Sequence, residues 1–347
     1  MITNGDDESN NNLTIYLPED VIHNIFTFLP IKHAISSSLV AKSFLNSWLY
    51  VRNLCFDINF ETNCSVNGRD EIPIIDNILS NYLGEKIHRF SLYIPVSTRY
   101  LPFLKKWIQH VASKSVEEFE LRLPRPTDES SYFMHSNCID IETLYSLKLG
   151  CFSNDELIIK GSNKFKTLLI RDCEDISLVT IDNSSISTFH YDGEINKIKF
   201  ANSIRLNDVL LNFGATTGLQ HIRERDDLIK VFRNVQTLSI NNILLEGLSP
   251  RFVNFEYKDM EYYLPNLKEL QLVRHDWSFI NLWDIVFFVK NRPQIQRLFI
   301  DFGDYAMEAG SYWNIVAKEN FENCETEFRE LKLLKVKGFK ALELEKN

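Results

Sequence analysis

A six-residue unit with apolar residues at its first, fourth and sixth positions recurs along most of the chain. The alternation within each unit is typical of a short strand that buries every second side chain. Successive units start 20 to 36 residues apart, and one unit cannot bury its apolar side alone, so the pattern predicts repeats that stack on a common core. Ten units can be identified, and their fourth positions are Phe90, Phe119, Leu147, Leu168, Phe189, Val209, Leu238, Leu270, Leu298 and Leu334.

Two interpretations of these units stay open. The segments between them read as helical or irregular, for example "YLPFLKKWIQHVAS" at 100–113 and "WDIVFFVKN" at 283–291. Ten units at related spacing favour a solenoid of leucine-rich repeats. The alternative is an ordinary α/β domain whose strands happen to share the pattern.

The stretch from Leu17 to Trp48 contains more apolar residues than short helices can bury by themselves. Pro18 suits the first position of a helix, and Pro30 ends that helix. Two further short helices are predicted, one from about residue 31 and one around Phe44. Apolar surface that stays exposed marks a docking site for a partner. The alternative is that these helices only cap the domain that follows.

The N-terminal stretch contains Leu17-Pro18-Glu19-Asp20, Thr27-Phe28-Leu29-Pro30 and Ser38-Leu39-Val40. With these residues at this spacing it resembles an F-box of the plant type. It departs from the usual pattern at Ala41, where Ser is common, and at Ser43-Phe44, where Arg-Trp is common. Farther along, "LPNLKELQLV" and "NRPQIQRLFIDF" resemble repeats of plant F-box proteins with leucine-rich repeats, and "LKLLKVKGFK" resembles the start of an FBD module. The residues that match the F-box pattern are Leu17, Pro18, Glu19, Asp20, Ile22, Ile25, Thr27, Phe28, Leu29, Pro30, Lys32, Ala34, Ser38, Leu39, Val40, Lys42, Asn46 and Trp48.

The resemblance implies an α/β protein in which an N-terminal three-helix F-box is followed by a curved leucine-rich-repeat solenoid. We expect a disordered acidic tail at 1–14, the F-box at 15–55 and irregular leucine-rich repeats at 56–310. The remainder, 311–347, is expected to hold the last repeat and a truncated FBD-like end.

Composition narrows the classes of function. Among 347 residues there are 38 Lys and Arg against 47 Asp and Glu, and the net charge of -9 argues against a surface that binds nucleic acid. The six cysteines form no C-x-x-C pair and are expected to be reduced. The N-terminus does not read as a signal peptide, and the longest apolar run is too short for a membrane span. We therefore expect a cytoplasmic or nuclear location and no membrane partner.

Candidate catalytic and metal-binding residues are weak. Enzyme signatures such as H-E-x-x-H, G-x-S-x-G and the phosphate loop are missing from the sequence. His135 and Cys138 lack a second pair of ligands, "GATTG" at 214–218 lacks a lysine, and the charges of "RERDD" at 223–227 suit a solvated loop. Cys151 and Cys173 follow repeat units and are expected to be buried. We predict a protein that is not an enzyme and has no cofactor or metal.

The resemblance further implies that the F-box docks on a Skp-family adaptor and, through it, on a cullin. The protein would then be the substrate-recognition subunit of an SCF-type ubiquitin ligase, holding a protein substrate on its repeats. A leucine-rich-repeat scaffold or a ligand receptor, acting without ubiquitin transfer, is the alternative. The predicted adaptor-binding residues or their immediate support are Leu17, Pro18, Ile22, Ile25, Leu29, Pro30, Leu39, Val40 and Trp48.

A substrate surface is expected on the strand side chains that point away from the core. Arg122 and Arg171 fall at equivalent positions with Gly150 between them, which predicts a shallow positive notch for an acidic or phosphorylated segment. The alternative is that both arginines only pair with nearby acids such as Glu120 and Asp172. The predicted substrate-binding residues are Tyr93, Arg122, Arg171, His190, Asp192, Phe299 and Asp301.

Overall fold

A computed structural model describes twelve parts of the chain, and all structural statements below concern these parts. They exclude the predicted acidic tail, the His135–Cys138 pair, Cys151, Cys173 and both loops named above at 214–218 and 223–227. The described residues are 17–94, 98–123, 142–150, 156–172, 176, 178–193, 198–201, 205–213, 231–247, 264–273, 282–302 and 327–338.

The N-terminal stretch begins with two short α-helices, α1 (Glu19–Thr27) and α2 (Ile31–Ser38), each preceded directly by a proline. The predicted third helix is instead two 3-10 turns, Lys42–Phe44 and Ser47–Tyr50. The low helix propensity of Ser43, Asn46 and Ser47 agrees with short turns in place of a helix.

The rest of the described chain alternates strands with helices or with further strands. The remaining helices are α3 (Ile58–Val66), α4 (Glu71–Asn81), α5 (Leu101–Ser113), α6 (Asn242–Gly247) and α7 (Leu282–Lys290). The strands are β1 (Asn53–Phe56), β2 (Arg89–Tyr93), β3 (Glu118–Arg122), β4 (Ser146–Gly150), β5 (Glu156–Lys160), β6 (Thr167–Arg171), β7 (Leu178–Asp182), β8 (Thr188–Gly193), β9 (Ile198–Phe200), β10 (Asp208–Phe213), β11 (Thr237–Asn241), β12 (Glu269–Val273), β13 (Arg297–Asp301) and β14 (Leu333–Lys337).

Eleven strands form one parallel sheet in the order β1-β2-β3-β4-β6-β8-β10-β11-β12-β13-β14. The register aligns the predicted fourth positions of all ten units, beginning with Phe90 opposite Phe119 and ending with Leu298 opposite Leu334. The prediction of ten equivalent strands is therefore confirmed. The protein is a mixed α/β structure that begins with short helices.

Strand β1 is an eleventh unit that the sequence pattern did not indicate. Its Leu54 is the register partner of Phe90, and both side chains are fully buried. Pro30 forms an isolated parallel bridge with Asn53, which joins the end of α1 to the edge of the sheet. This strand crosses the boundary expected at residues 55 and 56, so the N-terminal helices and the sheet share one hydrophobic core.

The core lies on one side of the eleven-stranded sheet and is closed in two different ways. Near β2 and β3 it is covered by α4 and α5, and Trp107 of α5 is 1% exposed. In the centre it is covered by a second parallel sheet, β5-β7-β9, whose Leu157, Val179 and Ile181 point into the core. This second sheet was not predicted.

Two buried asparagines tie neighbouring repeats together. Nδ2 of Asn183, which follows β7, donates to the carbonyls of Gly161 (2.6 Å) and Ser162 (3.2 Å). Nδ2 of Asn241 in β11 donates to the carbonyl of Phe213 at 2.6 Å, and its Oδ1 accepts from the first turn of α6. Each side chain satisfies backbone groups that a parallel ladder leaves unpaired where the chain turns.

Candidate functional site

The N-terminal helices expose a surface of large apolar side chains, which we call the apolar surface. Its most exposed members are Phe28 (77%), Leu39 (77%) and Val40 (78%). Soluble proteins seldom leave such a group uncovered unless a partner binds it. The full set is Leu17, Val21, Ile25, Phe28, Leu39, Val40 and Leu45.

Aromatic contacts beneath the apolar surface hold it in place. The ring of Phe26 packs edge-on against Phe44 with centroids 5.7 Å apart, and His23 stacks on Tyr50 at 4.1 Å. Phe44, one of the two departures from the F-box pattern at 43–44, thus serves as an internal support. The packed layer beneath fixes the positions of the exposed side chains above it.

The structure separates the predicted adaptor-binding residues into three groups. Leu29 and Trp48 are half-buried, whereas Ile22 is 2% exposed and lies in the core. Ile22 therefore falls in the supporting part of the predicted set and packs α1 from within, while adaptor binding by the set stays a prediction. The exposed members of the predicted set are Leu17, Pro18, Ile25, Pro30, Leu39 and Val40.

Phe28 is the exposed aromatic residue that the predicted set missed. Val21, Ile25 and Phe28 are spaced four and three residues apart, which places them on one side of a helical turn. Ile22, Phe26 and Leu29 form the neighbouring stripe that faces inward. The sequence signal for Phe28 was therefore two adjacent apolar stripes on one short helix. Only one of these stripes can be buried in the core, so the other stays exposed.

A second candidate region is the side of the eleven-stranded sheet that faces away from the core, which we call the open face. Its side chains are those that lie between and beside the paired buried positions of each strand. Near its start, Glu120 accepts hydrogen bonds from Arg122 Nε (2.8 Å) and from Arg89 Nη2 (3.1 Å). Farther along, Arg297 pairs with Glu269 through its own Nε.

The predicted substrate-binding residues all lie on the open face but fall into separate groups. Tyr93, Arg122, Gly150 and Arg171 are successive register partners on β2, β3, β4 and β6. The pairing of Arg122 with Glu120 agrees with the ion-pair alternative for that arginine.

The remaining predicted residues lie nearer the middle and the end of the open face. His190 Nε2 lies 3.6 Å from Asp208 Oδ2, and Asp192 is the register partner of Asn212. Phe299 and Asp301 are on β13, where Asp301 Oδ2 accepts a hydrogen bond from Lys337 Nζ at 3.0 Å. The predicted residues thus share a face without converging on one site.

The described residues offer few groups suited to catalysis or metal binding. Burial raises the pKa of the Cys55 thiol, so this side chain is kept as a neutral thiol of low reactivity. Three or more His, Cys, Asp or Glu side chains do not gather anywhere in the described ranges in a way that could hold a metal ion. A search of the same ranges finds no helix with the length and apolarity to cross a membrane.

Comparison with known proteins agrees with this geometry. Residues 16–56 match the F-box domain family. Two FBD-associated F-box proteins of Arabidopsis thaliana are similar to the whole chain, at 22% and 23% identity over 94% of it and over 84% and 82% of their own lengths. An F-box/LRR-repeat protein of the same plant is 30% identical over 167 residues, which is 44% of this chain and 41% of that protein.

The chain thus carries a match to an F-box domain at 16–56, where the exposed apolar helices lie, followed by repeated parallel strands. The similarity to FBD-associated F-box and F-box/LRR-repeat proteins supports a protein of the plant F-box/FBD/LRR type. F-box domains generally bind Skp-family adaptors.

Proposed function

We propose that this protein is the substrate-recognition subunit of an SCF-type ubiquitin ligase. The apolar surface binds a Skp-family adaptor, which connects the protein to a cullin. The repeats form a curved leucine-rich-repeat solenoid and bind a protein substrate on the open face. The protein carries out no chemistry itself and acts in the cytoplasm or the nucleus by bringing substrate lysines close to a ubiquitin-carrying enzyme.

The observation that carries this proposal is the apolar surface within the residues that match the F-box. Its side chains come from α1, from the end of α2 and from the 3-10 turns, and they are exposed together. Each large side chain that a partner covers contributes about 1.5–3 kcal/mol of binding free energy. A few of them are enough to hold a stable complex.

The test is co-purification of the whole chain with a Skp-family adaptor. Replacing Phe28, Leu39 and Val40 together by Ala should abolish the complex, because three exposed contacts are lost while the core is untouched. A matched control is Val66→Ala on α3, which removes an apolar side chain that is 80% exposed outside the apolar surface. This control should bind the adaptor as well as the unchanged protein.

Two results would contradict the proposal. Normal adaptor binding by the triple variant would mean that the apolar surface is not the interface. Failure of the unchanged protein to bind any Skp-family adaptor would favour the alternative of a repeat scaffold or ligand receptor without ubiquitin transfer. A melting temperature measured for each variant shows whether the fold is intact.

A further inference from the structure

The open face carries a group of cationic side chains around Gly150. Arg122, Gly150 and Arg171 are consecutive register partners on β3, β4 and β6. Neighbouring strands are about 4.8 Å apart, so the backbones of the two arginines are about 10 Å apart. Lys148 lies two residues before Gly150 on β4 and projects from the same face. We call Arg122, Lys148, Gly150 and Arg171 the Gly150 notch.

Glu120 holds Arg122 in a fixed orientation. This carboxylate is 8% exposed, and its two oxygens accept hydrogen bonds from Arg122 Nε (2.8 Å) and Arg89 Nη2 (3.1 Å). Because the contact uses Nε, the terminal Nη groups of Arg122 keep their hydrogens available within the described residues. A guanidinium that is oriented through Nε presents its terminal fork to a carboxylate or a phosphate.

Gly150 has no side chain, so the stem of Arg122 lies close to the backbone of β4. A Cβ built on Gly150 would lie 3.4 Å from Cγ of Arg122, so the stem of the arginine leans over the glycine. Lys148 is the register partner of Glu120, but both oxygens of that carboxylate are already engaged by arginines. In the described ranges Lys148 forms no ion pair. Arg89 also has Glu118 as its register partner, so Arg122 and Lys148 are the cations that the notch itself contributes beside Glu120.

We infer that the Gly150 notch binds a carboxylate-rich, extended segment of a protein partner. This inference rests on the proposed function and names the chemistry of the substrate that the open face would hold. Charge complementarity carries it, because the notch is cationic on a chain whose net charge is -9. An acidic segment is repelled by the molecule as a whole and attracted at the notch, which gives the notch its selectivity.

The test measures fluorescence anisotropy of a short labelled peptide in which Glu alternates with Ser, added to the whole chain in complex with its Skp-family adaptor. Matched peptides carry Gln or phosphoserine in place of Glu. The Glu peptide should bind at least about tenfold more tightly than the Gln peptide, since each charge-assisted contact is worth a large part of a tenfold change. Equal binding of the Glu and Gln peptides would overturn the inference. Binding of only the phosphoserine peptide would overturn the assignment to carboxylates.

Paired variants locate the binding. Arg122→Gln with Lys148→Gln should reduce Glu-peptide binding about tenfold or more. The matched control, Arg297→Gln with Lys335→Gln, removes two positive charges from the same face, and Arg297 is likewise held through Nε by a carboxylate. This control should leave peptide binding unchanged. Equal losses in the two double variants would show a non-specific charge effect and overturn the site.

A third variant blocks the notch without altering charge. Gly150 has no positive φ, and a side chain there would contact the stem of Arg122, so Gly150→Phe should lose the Glu peptide. The melting temperature of this variant shows whether it is folded. Retained binding by this variant would contradict the notch. Adaptor co-purification from the same preparations separates the two proposals. If the unchanged protein binds the adaptor but not the Glu peptide, only the inference is refuted. If the unchanged protein does not bind the adaptor, the proposed function is refuted.

Discussion

The repeats near the start of the sheet and those at its centre solve the same packing problem with different elements. Strands β2 and β3 are backed by α4 and α5, whereas β4, β6 and β8 alternate with the strands of the second sheet. Both arrangements bury the same alternate positions of the main sheet. The element on the far side of the core is therefore not what defines a repeat in this protein.

Repeat length decides which element closes the core. Phe90 and Phe119 are separated by 29 residues, which leaves room for the 13-residue helix α5 and its connections. Leu147, Leu168 and Phe189 follow one another at intervals of 21 residues. After the strand and turns are subtracted, this interval holds a five-residue strand but not a crossover helix, which needs about a dozen residues with its loops.

The largest expected effect is in the helix-backed region. Trp107→Ala should lower the free energy of unfolding by about 3–5 kcal/mol, because it empties the space of a fully buried indole. It also removes the hydrogen bond from Trp107 Nε1 to Asp76 Oδ1 at 2.9 Å. Denaturant unfolding measures the loss, and Gln109→Ala on the exposed side of α5 is the control that should change stability little. A loss below about 1 kcal/mol would show that α5 is not an essential cover of the core.

A similar but smaller loss is expected in the strand-backed region. Ile181→Ala in β7 should cost about 2–4 kcal/mol, since the side chain is fully buried between the two sheets. Thr180→Ala, on the other side of the same strand, should cost less than about 1 kcal/mol. If both variants unfold at the same denaturant concentration, the second sheet is not packed on the core as described.

The two buried asparagines, Asn183 after β7 and Asn241 at the end of β11, allow two turns of the structure to be compared. Asn183→Ala and Asn241→Ala should each cost about 1–3 kcal/mol, because each leaves buried carbonyls and an amide without a partner. Urea unfolding of both variants tests this expectation. Markedly different losses would mean that the turns after β7 and after β11 do not depend equally on these ties.

The smallest effect depends on pH. Hydrogen bonds from Lys106 and Trp107 hold the pKa of the Asp76 carboxyl below its usual value, so this group stabilises the fold while it is ionised. Its contribution is complete above the unfolded pKa of about 3.9 and is lost as the pH falls through the lower folded pKa. Asp76→Asn should therefore cost about 1 kcal/mol near pH 7, with a gap to the unchanged protein that narrows below about pH 4. A gap that does not narrow in acid would contradict the ionised role.

The main sheet was predictable because its signal repeats ten times in one register. The second sheet was missed because its strands are five, five and three residues long, and alternation over so few residues is not distinctive. Strand β1 was missed because "NLCF" has only four residues and lies at the end of the F-box resemblance. A solitary strand of four residues gains its identity only from pairing with β2.

The candidate sites were predicted unevenly for a physical reason. Ile22 and Ile25 are both apolar residues of α1, and the F-box pattern alone does not say which faces the core. Burial depends on how Phe26 and Phe44 pack, which is a tertiary contact. On the open face the register of Arg122, Gly150 and Arg171 followed from the repeat, whereas the use of Nε by Arg122 follows only from side-chain geometry.

Strand β1 belongs both to the sheet and to the residues that match the F-box. The number of strands after β1 therefore sets the distance from the F-box to each repeat. Gly150 lies on the fourth strand, so its backbone is about 14 Å from β1, and each repeat inserted between them would move it outward by about 4.8 Å. The distance between the F-box and a given repeat therefore changes by one strand spacing at a time. It is set by the number of repeats and not by the length of a flexible linker. A partner bound at any given strand would be presented at one fixed distance from the adaptor.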